Sequence, residues 1–86
     1  MKKTILITGG AGFVGSNFVR HIFERYADYR VIVLDALTYA GNLENFPPQI
    51  KQDARFSFHR GDVRDLGLVL ELVSQADAVV HFAAET

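Results

Sequence analysis

An α/β fold built on a parallel sheet is the architecture this sequence predicts, and two observations carry it. Short, β-branched, apolar runs alternate with stretches of helical period along 86 residues, the pattern of strands joined by crossover helices. A turn dense in glycine joins the first such run to the first helical stretch. Parallel pairing with right-handed crossovers is the expected solution.

Composition narrows the class. Apolar residues make up 49% and charged residues 22% of the chain, the balance of a globular core and unlike that of a disordered tail. Nine Lys+Arg stand against ten Asp+Glu, a net charge of −1, so there is no general basic footprint for nucleic acid. The absence of cysteine excludes a disulfide framework and thiolate-based metal clusters. The apolar run after Lys2-Lys3 stops at Gly9-Gly10, short of the roughly 7–15 residues of a signal-peptide core. No run approaches the ~20 apolar residues of a membrane span. A cytoplasmic, soluble protein without membrane or nucleic-acid partners is therefore expected.

Each element has its own signature. Residues 4–8 (Thr-Ile-Leu-Ile-Thr) read as a strand buried on both faces. From residue 13 to 26 the period changes: Val14, Phe18, Ile22 and Tyr26 recur at four-residue intervals, Val19 and Phe23 widen the stripe, and Arg20, Glu24 and Arg25 face water. Residues 30–34 form a second buried strand that ends at Asp35. Residues 36–54 are the least regular stretch: residues 39–42 read as a turn, 43–46 as a helical turn, and Pro47-Pro48 as a break in whatever precedes it. Residues 55–59 are a third strand with Phe56 and Phe58 on one face. Asp62 and Asp65 are helix-start carboxylates. Leu66, Val69, Leu70 and Val73 then make an i, i+3, i+4, i+7 stripe, flanked by Leu68 and Leu72. Residues 77–82 form the fourth strand.

The chemistry lies in Thr8-Gly9-Gly10-Ala11-Gly12-Phe13-Val14-Gly15-Ser16. Glycines 9, 12 and 15, and equally 10, 12 and 15, stand at dinucleotide-binding spacing. Missing Cβ atoms permit a tight turn and let a pyrophosphate approach the backbone. Phe13 and Val14 open the helix, where free N–H groups and the positive end of the helix dipole bind anions. The alternative is a glycine-rich turn of no function. Against it, the motif follows a strand, precedes a helix, and has an acidic residue, Asp35, twenty positions after Gly15 at the end of the next strand. A phosphate-binding NTPase loop needs Lys and Ser/Thr after its last glycine; Ser16-Asn17 does not fit. The pattern specifies a Rossmann-type doubly wound sheet. A carboxylate at Asp35 suits the free ribose hydroxyls of NAD and repels the 2′-phosphate of NADP.

With these residues in place, the chain resembles the extended short-chain dehydrogenases/reductases of the NAD-dependent epimerase/dehydratase family. The resemblance rests on the glycine motif, on Gly61-Asp62-Val63 after the third strand, and on His81-Phe-Ala-Ala-Glu85. Within that family, residues 34–44 (Leu-Asp-Ala-Leu-Thr-Tyr-Ala-Gly-Asn-Leu-Glu) are similar to the dTDP-glucose 4,6-dehydratases. The resemblance implies that Phe13 and Val14 meet the pyrophosphate, and that Asp35, Ala36, Leu37 and Thr38 surround the adenosine ribose. It implies that Asp62 and Val63 meet the adenine edge, that Phe82, Ala83 and Ala84 line the path to the nicotinamide, and that Thr86 lies where cofactor and sugar-nucleotide sites join. The family often has lysine at position 36 and serine at 86; Ala36 leaves only a backbone contact, whereas Thr86 keeps the hydroxyl. The implied reaction oxidises C4 of dTDP-glucose, loses water across C5–C6 and returns hydride to C6, in a homodimeric enzyme. The family's Tyr-x-x-x-Lys and acid/base pair are not in these 86 residues.

Competing readings accompany the other candidates. Asp62 could serve only as a helix N-cap, and His81 is expected as a packed strand histidine. His21, His59 and His81 lack metal-ligand spacing. Arg60-Gly61-Asp62 is an accidental adhesion tripeptide, and Tyr39 lacks a lysine four residues on. A related nucleotide-sugar epimerase or decarboxylase, and a non-catalytic dinucleotide sensor, are the alternative functions. The strands are expected in order 3-2-1-4 with the fourth at an apolar edge. Residues 1–86 are thus expected to be the first part of a larger NAD-binding domain.

Overall fold

The computed structural model describes residues 3–36 and 43–82. Its elements are β1 (Lys3–Thr8), α1 (Phe13–Arg25), β2 (Tyr29–Asp35), a 3-10 turn (Leu43–Asn45), α2 (Pro48–Lys51), β3 (Phe56–Arg60), α3 (Leu66–Val73) and β4 (Ala78–His81). The four strands form one parallel sheet in the order β3-β2-β1-β4, as the sequence predicts for a Rossmann-type fold. The expected turn at 39–42 lies outside the described residues.

Alternation along the two central strands builds a core on each face of the sheet. Ile5, Ile7, Val31 and Val33 point to one face, where Val19 and Ile22 of α1, Phe46 and Ile50 cover them. Leu6, Ile32 and Leu34 point to the other, beneath Leu72 with Leu68, Val69 and Ala76. A strand covered on both faces has no polar side to show, which is why these runs are almost wholly apolar. β3 lies at an edge and is only half-buried, with Phe56 and Phe58 turned to the α1 face. β4 is the other edge, and its Val79 is exposed.

The stripe predicted for α1 is buried at its centre, where Val19 and Ile22 enter the core with Phe18 and Phe23 packed against it, but not at its ends, and α3 sits at a different rotation from the one its pattern predicts. In α1 the buried residues are Gly15, Ser16, Val19 and Ile22, while Val14 and Tyr26 are exposed. The inward stripe begins with two small residues that a count of hydrophobes passes over. In α3, Leu72 is 1% exposed, but Leu66 and Leu70 are 68% and 59% exposed. Only Gly67 and Glu71 interrupt the apolar residues of this helix, so its pattern offers two faces and does not choose between them. Contacts outside the helix choose. Leu68 packs so closely over Gly61 that a Cβ there would lie 2.4 Å from Leu68 Cδ2, and the i, i+4 neighbour Leu72 follows onto the sheet.

Two helix starts also differ. Pro48 opens α2 rather than only breaking what precedes it, because fixed φ and a missing N–H cost nothing in a first turn. Asp65, not Asp62, caps α3, its carboxylate accepting from the Leu68 amide at 3.2 Å.

Arg55 fastens the α1–β2 connection. Its guanidinium donates to the carbonyls of Tyr26 and Ala27 at 3.1 and 2.9 Å, pairs with Asp53 at 3.1 Å and lies 4.3 Å over the Phe23 ring. The hydrogen bonds from Arg55 hold the Asp53 carboxyl below its ordinary range.

The rotation of α3 is testable. Leu72→Ala should cost about 2–5 kcal/mol, as for a buried leucine, and Leu70→Ala within about 0.5 kcal/mol, by urea unfolding. The reverse ranking would mean that the face predicted from the stripe is the buried one.

Candidate functional site

All candidate residues within the described parts of the chain collect at the carboxyl ends of the strands, where a parallel sheet leaves its crevice. The crevice opens beside β1, because the connections on its two sides put helices on opposite faces.

The glycine turn is shaped for close backbone approach. Gly9 has φ 72°, a left-handed conformation that side-chain-bearing residues rarely adopt. A Cβ on Gly15 would lie 2.5 Å from the Gly9 carbonyl oxygen and 2.8 Å from Gly10 Cα. The absent side chain is therefore what seats α1 on the turn. Gly12 is the N-cap and offers no side chain to the first turn. The first helical bond runs from the Ser16 amide to the Gly12 carbonyl at 2.8 Å, which leaves the Phe13, Val14 and Gly15 amides as the helix's unpaired first-turn donors. No acidic residue occupies that turn. Phe13 and Val14 are 77% and 63% exposed, so the helix start lies at the surface. A glycine turn leading into uncapped helix-start amides is the arrangement that anion-binding helix starts share.

Asp35 ends β2, as the motif requires, and its carboxylate accepts from the Ala11 amide at 2.9 Å. The same side chain that the sequence motif assigns to a ribose thus braces the glycine turn. Asn45, from the 3-10 turn, donates to the Ala11 carbonyl at 2.7 Å. Sequence reasoning passed over Asn45, whose only signal was its place in a short helical turn; the glycine turn's dependence on it exists only in three dimensions. Ala36 follows Asp35 and is half-buried.

Gly61 joins this edge through its amide, which donates to the Asp35 carbonyl at 3.1 Å. Asp62 is not a cap. Its carboxylate accepts from the Arg64 amide at 2.8 Å and from Arg64 Nε and Nη2 at 3.1 and 2.8 Å. The guanidinium hydrogen bonds, then the backbone one, hold the Asp62 carboxyl at about 2, against an ordinary 3.8. It is an ionised acceptor at the crevice rim, beside exposed Val63.

On the β4 side, the Phe82 amide donates to the Thr8 carbonyl at 2.7 Å, and the Phe82 ring lies 5.5 Å from that of Phe18. His81 is exposed, not packed. It stands on an edge strand, where Nδ1 shares a hydrogen bond with the buried Thr8 hydroxyl. Leu37, Thr38, Ala83, Ala84 and Thr86 lie outside the described residues. Among the described residues, no cluster of His, Asp or Glu could hold a metal ion, and no helix is long and apolar enough to cross a membrane.

Two outcomes check this geometry. Gly15→Ala should lift α1 from the turn and cost about 1–3 kcal/mol, as overpacking does, measured by denaturant unfolding. Asp62, followed by carboxyl-carbon NMR, should titrate near 2 and move up toward the ordinary range in Arg64→Ala. The folded value lies below the unfolded one, so the pair's contribution to stability is present above the ordinary carboxylate range and fades as pH falls through about 2.

Comparison with known proteins gives a consistent picture. The chain is 49% identical over 82 residues to a dTDP-glucose 4,6-dehydratase of Mycolicibacterium smegmatis, covering 95% of this chain and 24% of that protein. The structure of dTDP-glucose 4,6-dehydratase from Bacillus anthracis in complex with NAD superposes with a TM-score of 0.88 at 41% identity, over 96% of this chain and 27% of that one. The dTDP-glucose 4,6-dehydratase DesIV of Streptomyces venezuelae, also solved with NAD bound, gives 0.86 at 49% identity over the same shares, 96% and 27%. The chain spans about a quarter of the length of the relatives it matches. The family model described as GDP-mannose 4,6 dehydratase matches residues 6–86, and with a glycine turn, strand-end aspartate and strand order that agree with it, the chain belongs to that family.

Proposed function

We propose that residues 1–86 form the first part of the NAD-binding domain of a dTDP-glucose 4,6-dehydratase. The observation that carries this reading is the Asp35 carboxylate, held at the carboxyl end of β2 and hydrogen-bonded to the glycine turn at Ala11. A ribose carboxylate and an anion seat are thereby built as one unit, which is the chemistry of a dinucleotide site. The relatives' names support the substrate class.

The residues present fit NAD by their own chemistry. Gly9 and Gly12 would let a pyrophosphate approach the backbone, Gly15 seats α1 close on the turn, and the amides of Phe13 and Val14 would donate to the phosphate. Asp35, with Ala36, Leu37 and Thr38, would hold the adenosine ribose. Asp62, held in place by Arg64, would accept from the adenine amine beside Val63. Phe82, Ala83 and Ala84 would lead toward the nicotinamide, and the Thr86 hydroxyl toward the sugar nucleotide. For the residues outside the described parts, the assignment rests on the sequence match alone.

NAD, when bound, supplies reversible hydride transfer. The described residues of this chain bind and orient; they do not move the substrate's protons. In the proposed reaction dTDP-glucose is oxidised at C4, loses water across C5–C6 and is reduced at C6, giving a 4-keto-6-deoxy sugar nucleotide. The same reading makes the enzyme cytoplasmic and homodimeric, which light scattering of the full-length protein checks for the dimer.

Titration calorimetry or NMR of the chain should show weak NAD binding, and NADP binding weaker by about tenfold or more because Asp35 repels a 2′-phosphate. Submicromolar NAD affinity for residues 1–86 would contradict the assignment of the chain to one end of the site. Incubating full-length, NAD-loaded protein with dTDP-glucose should yield the 4-keto sugar; a folded protein that makes none would sink the dehydratase reading.

A further inference from the structure

Asn45 lies outside the glycine motif, yet it controls the orientation of a peptide within it. Ala11 is buried, and both of its backbone polar groups are held by side chains from elsewhere in the chain. Its N–H donates to Asp35 at 2.9 Å and its carbonyl accepts from Asn45 Nδ2 at 2.7 Å. The Ala11 carbonyl and the Gly12 N–H belong to one planar peptide group. That plane is gripped at both ends, because the Gly12 N–H donates to the Gly9 carbonyl at 3.2 Å. Gly12 is also the N-cap whose carbonyl takes the first bond of α1. The plane's tilt therefore sets the direction in which the Phe13 and Val14 amides point.

Asn45 is itself firmly placed. The next residue, Phe46, is buried in the core with its ring 5.0 Å from that of Phe56, and its amide closes the 3-10 turn onto the Leu43 carbonyl at 3.1 Å. Asp35 and Asn45, ten positions apart in sequence, thus converge on one residue and hold two successive peptide planes of the turn. Asp35 holds the plane before Ala11, and Asn45 the plane after it.

We propose that Asn45 is a positioning residue of the dinucleotide site, which aims the helix-start amides at the pyrophosphate without touching the cofactor. The inference rests on the dinucleotide reading and adds a division of labour: Asp35 serves both ribose and turn, whereas Asn45 serves the phosphate end alone.

Three ligand-free or ligand-bound measurements on the whole chain test this. In Asn45→Ala, and in Asn45→Asp, which keeps the shape but removes the donor, ADP should bind about tenfold more weakly by NMR titration, the effect of one hydrogen bond to a buried carbonyl. Adenosine, which lacks the phosphates, should bind within about twofold of wild type in both. Without ligand, exchange of the Gly12 amide proton should speed up about tenfold in both variants. Should Asn45→Ala fail to fold, Asn45→Asp carries the comparison. Equal weakening of ADP and adenosine, or unchanged Gly12 exchange, would overturn the assignment in favour of a purely structural side chain. Unchanged ADP affinity in both variants overturns the role of Asn45 alone. A wild-type chain that binds neither ADP nor adenosine overturns the dinucleotide reading itself, and this assignment with it.

Discussion

The structure depends on how closely α1 approaches the turn that precedes it. With no Cβ at Gly15, the helix backbone comes down onto Gly9 and Gly10; any side chain would collide with the Gly9 carbonyl at 2.5 Å. Gly10 in turn lies over β2, where a Cβ would meet Val33 at 2.9 Å. These contacts set the height of α1, and hence how Val19 and Ile22 enter the core above Ile5, Ile7, Val31 and Val33. They also set where the helix-start amides open. Packing and the placement of the helix-start amides are two results of the same missing atoms.

The remainder of the site is held by strand ends. Backbone bonds lace the carboxyl edge together: Gly9 to Leu34, Gly61 to Asp35, Phe82 to Thr8. Each links one connection to a neighbouring strand, so the turn, the Asp35 end, the Asp62 corner and the β4 exit form one connected rim. Apolar burial of β1 and β2 on both faces underlies that rim. Charged groups then trim it. Arg64 lowers the Asp62 carboxyl to about 2 and holds it turned toward its own loop.

Much of this was legible. The four strands, their order, the helix start at Phe13 and the aspartate at the end of β2 follow from local signals: β-branched runs, glycine spacing and a carboxylate at a set distance. Phase was legible at the centre of α1, in Phe18, Val19, Ile22 and Phe23, and not elsewhere. α1 turns its small residues inward, and no hydrophobic count weights Gly15 or Ser16. α3 is apolar on two sides, and the choice between them fell to Gly61 beneath Leu68. Capping was ambiguous for a similar reason. Asp62 and Asp65 both precede the helix, and only the local bend decides which carboxylate reaches the Leu68 amide and which turns back to Arg64.

By itself, then, the sequence determined the kind of fold, the glycine turn before α1 and the aspartate that ends β2, because each of these is written in contiguous residues and in backbone freedom. Tertiary structure alone decided which face of α3 is buried, that His81 is exposed and bonded to Thr8, and that Asp35 and Asn45 meet at Ala11. The physical reason is the same in each case. A hydrogen bond or a side-chain contact between distant segments depends on where the sheet brings them together, and no local pattern encodes that distance.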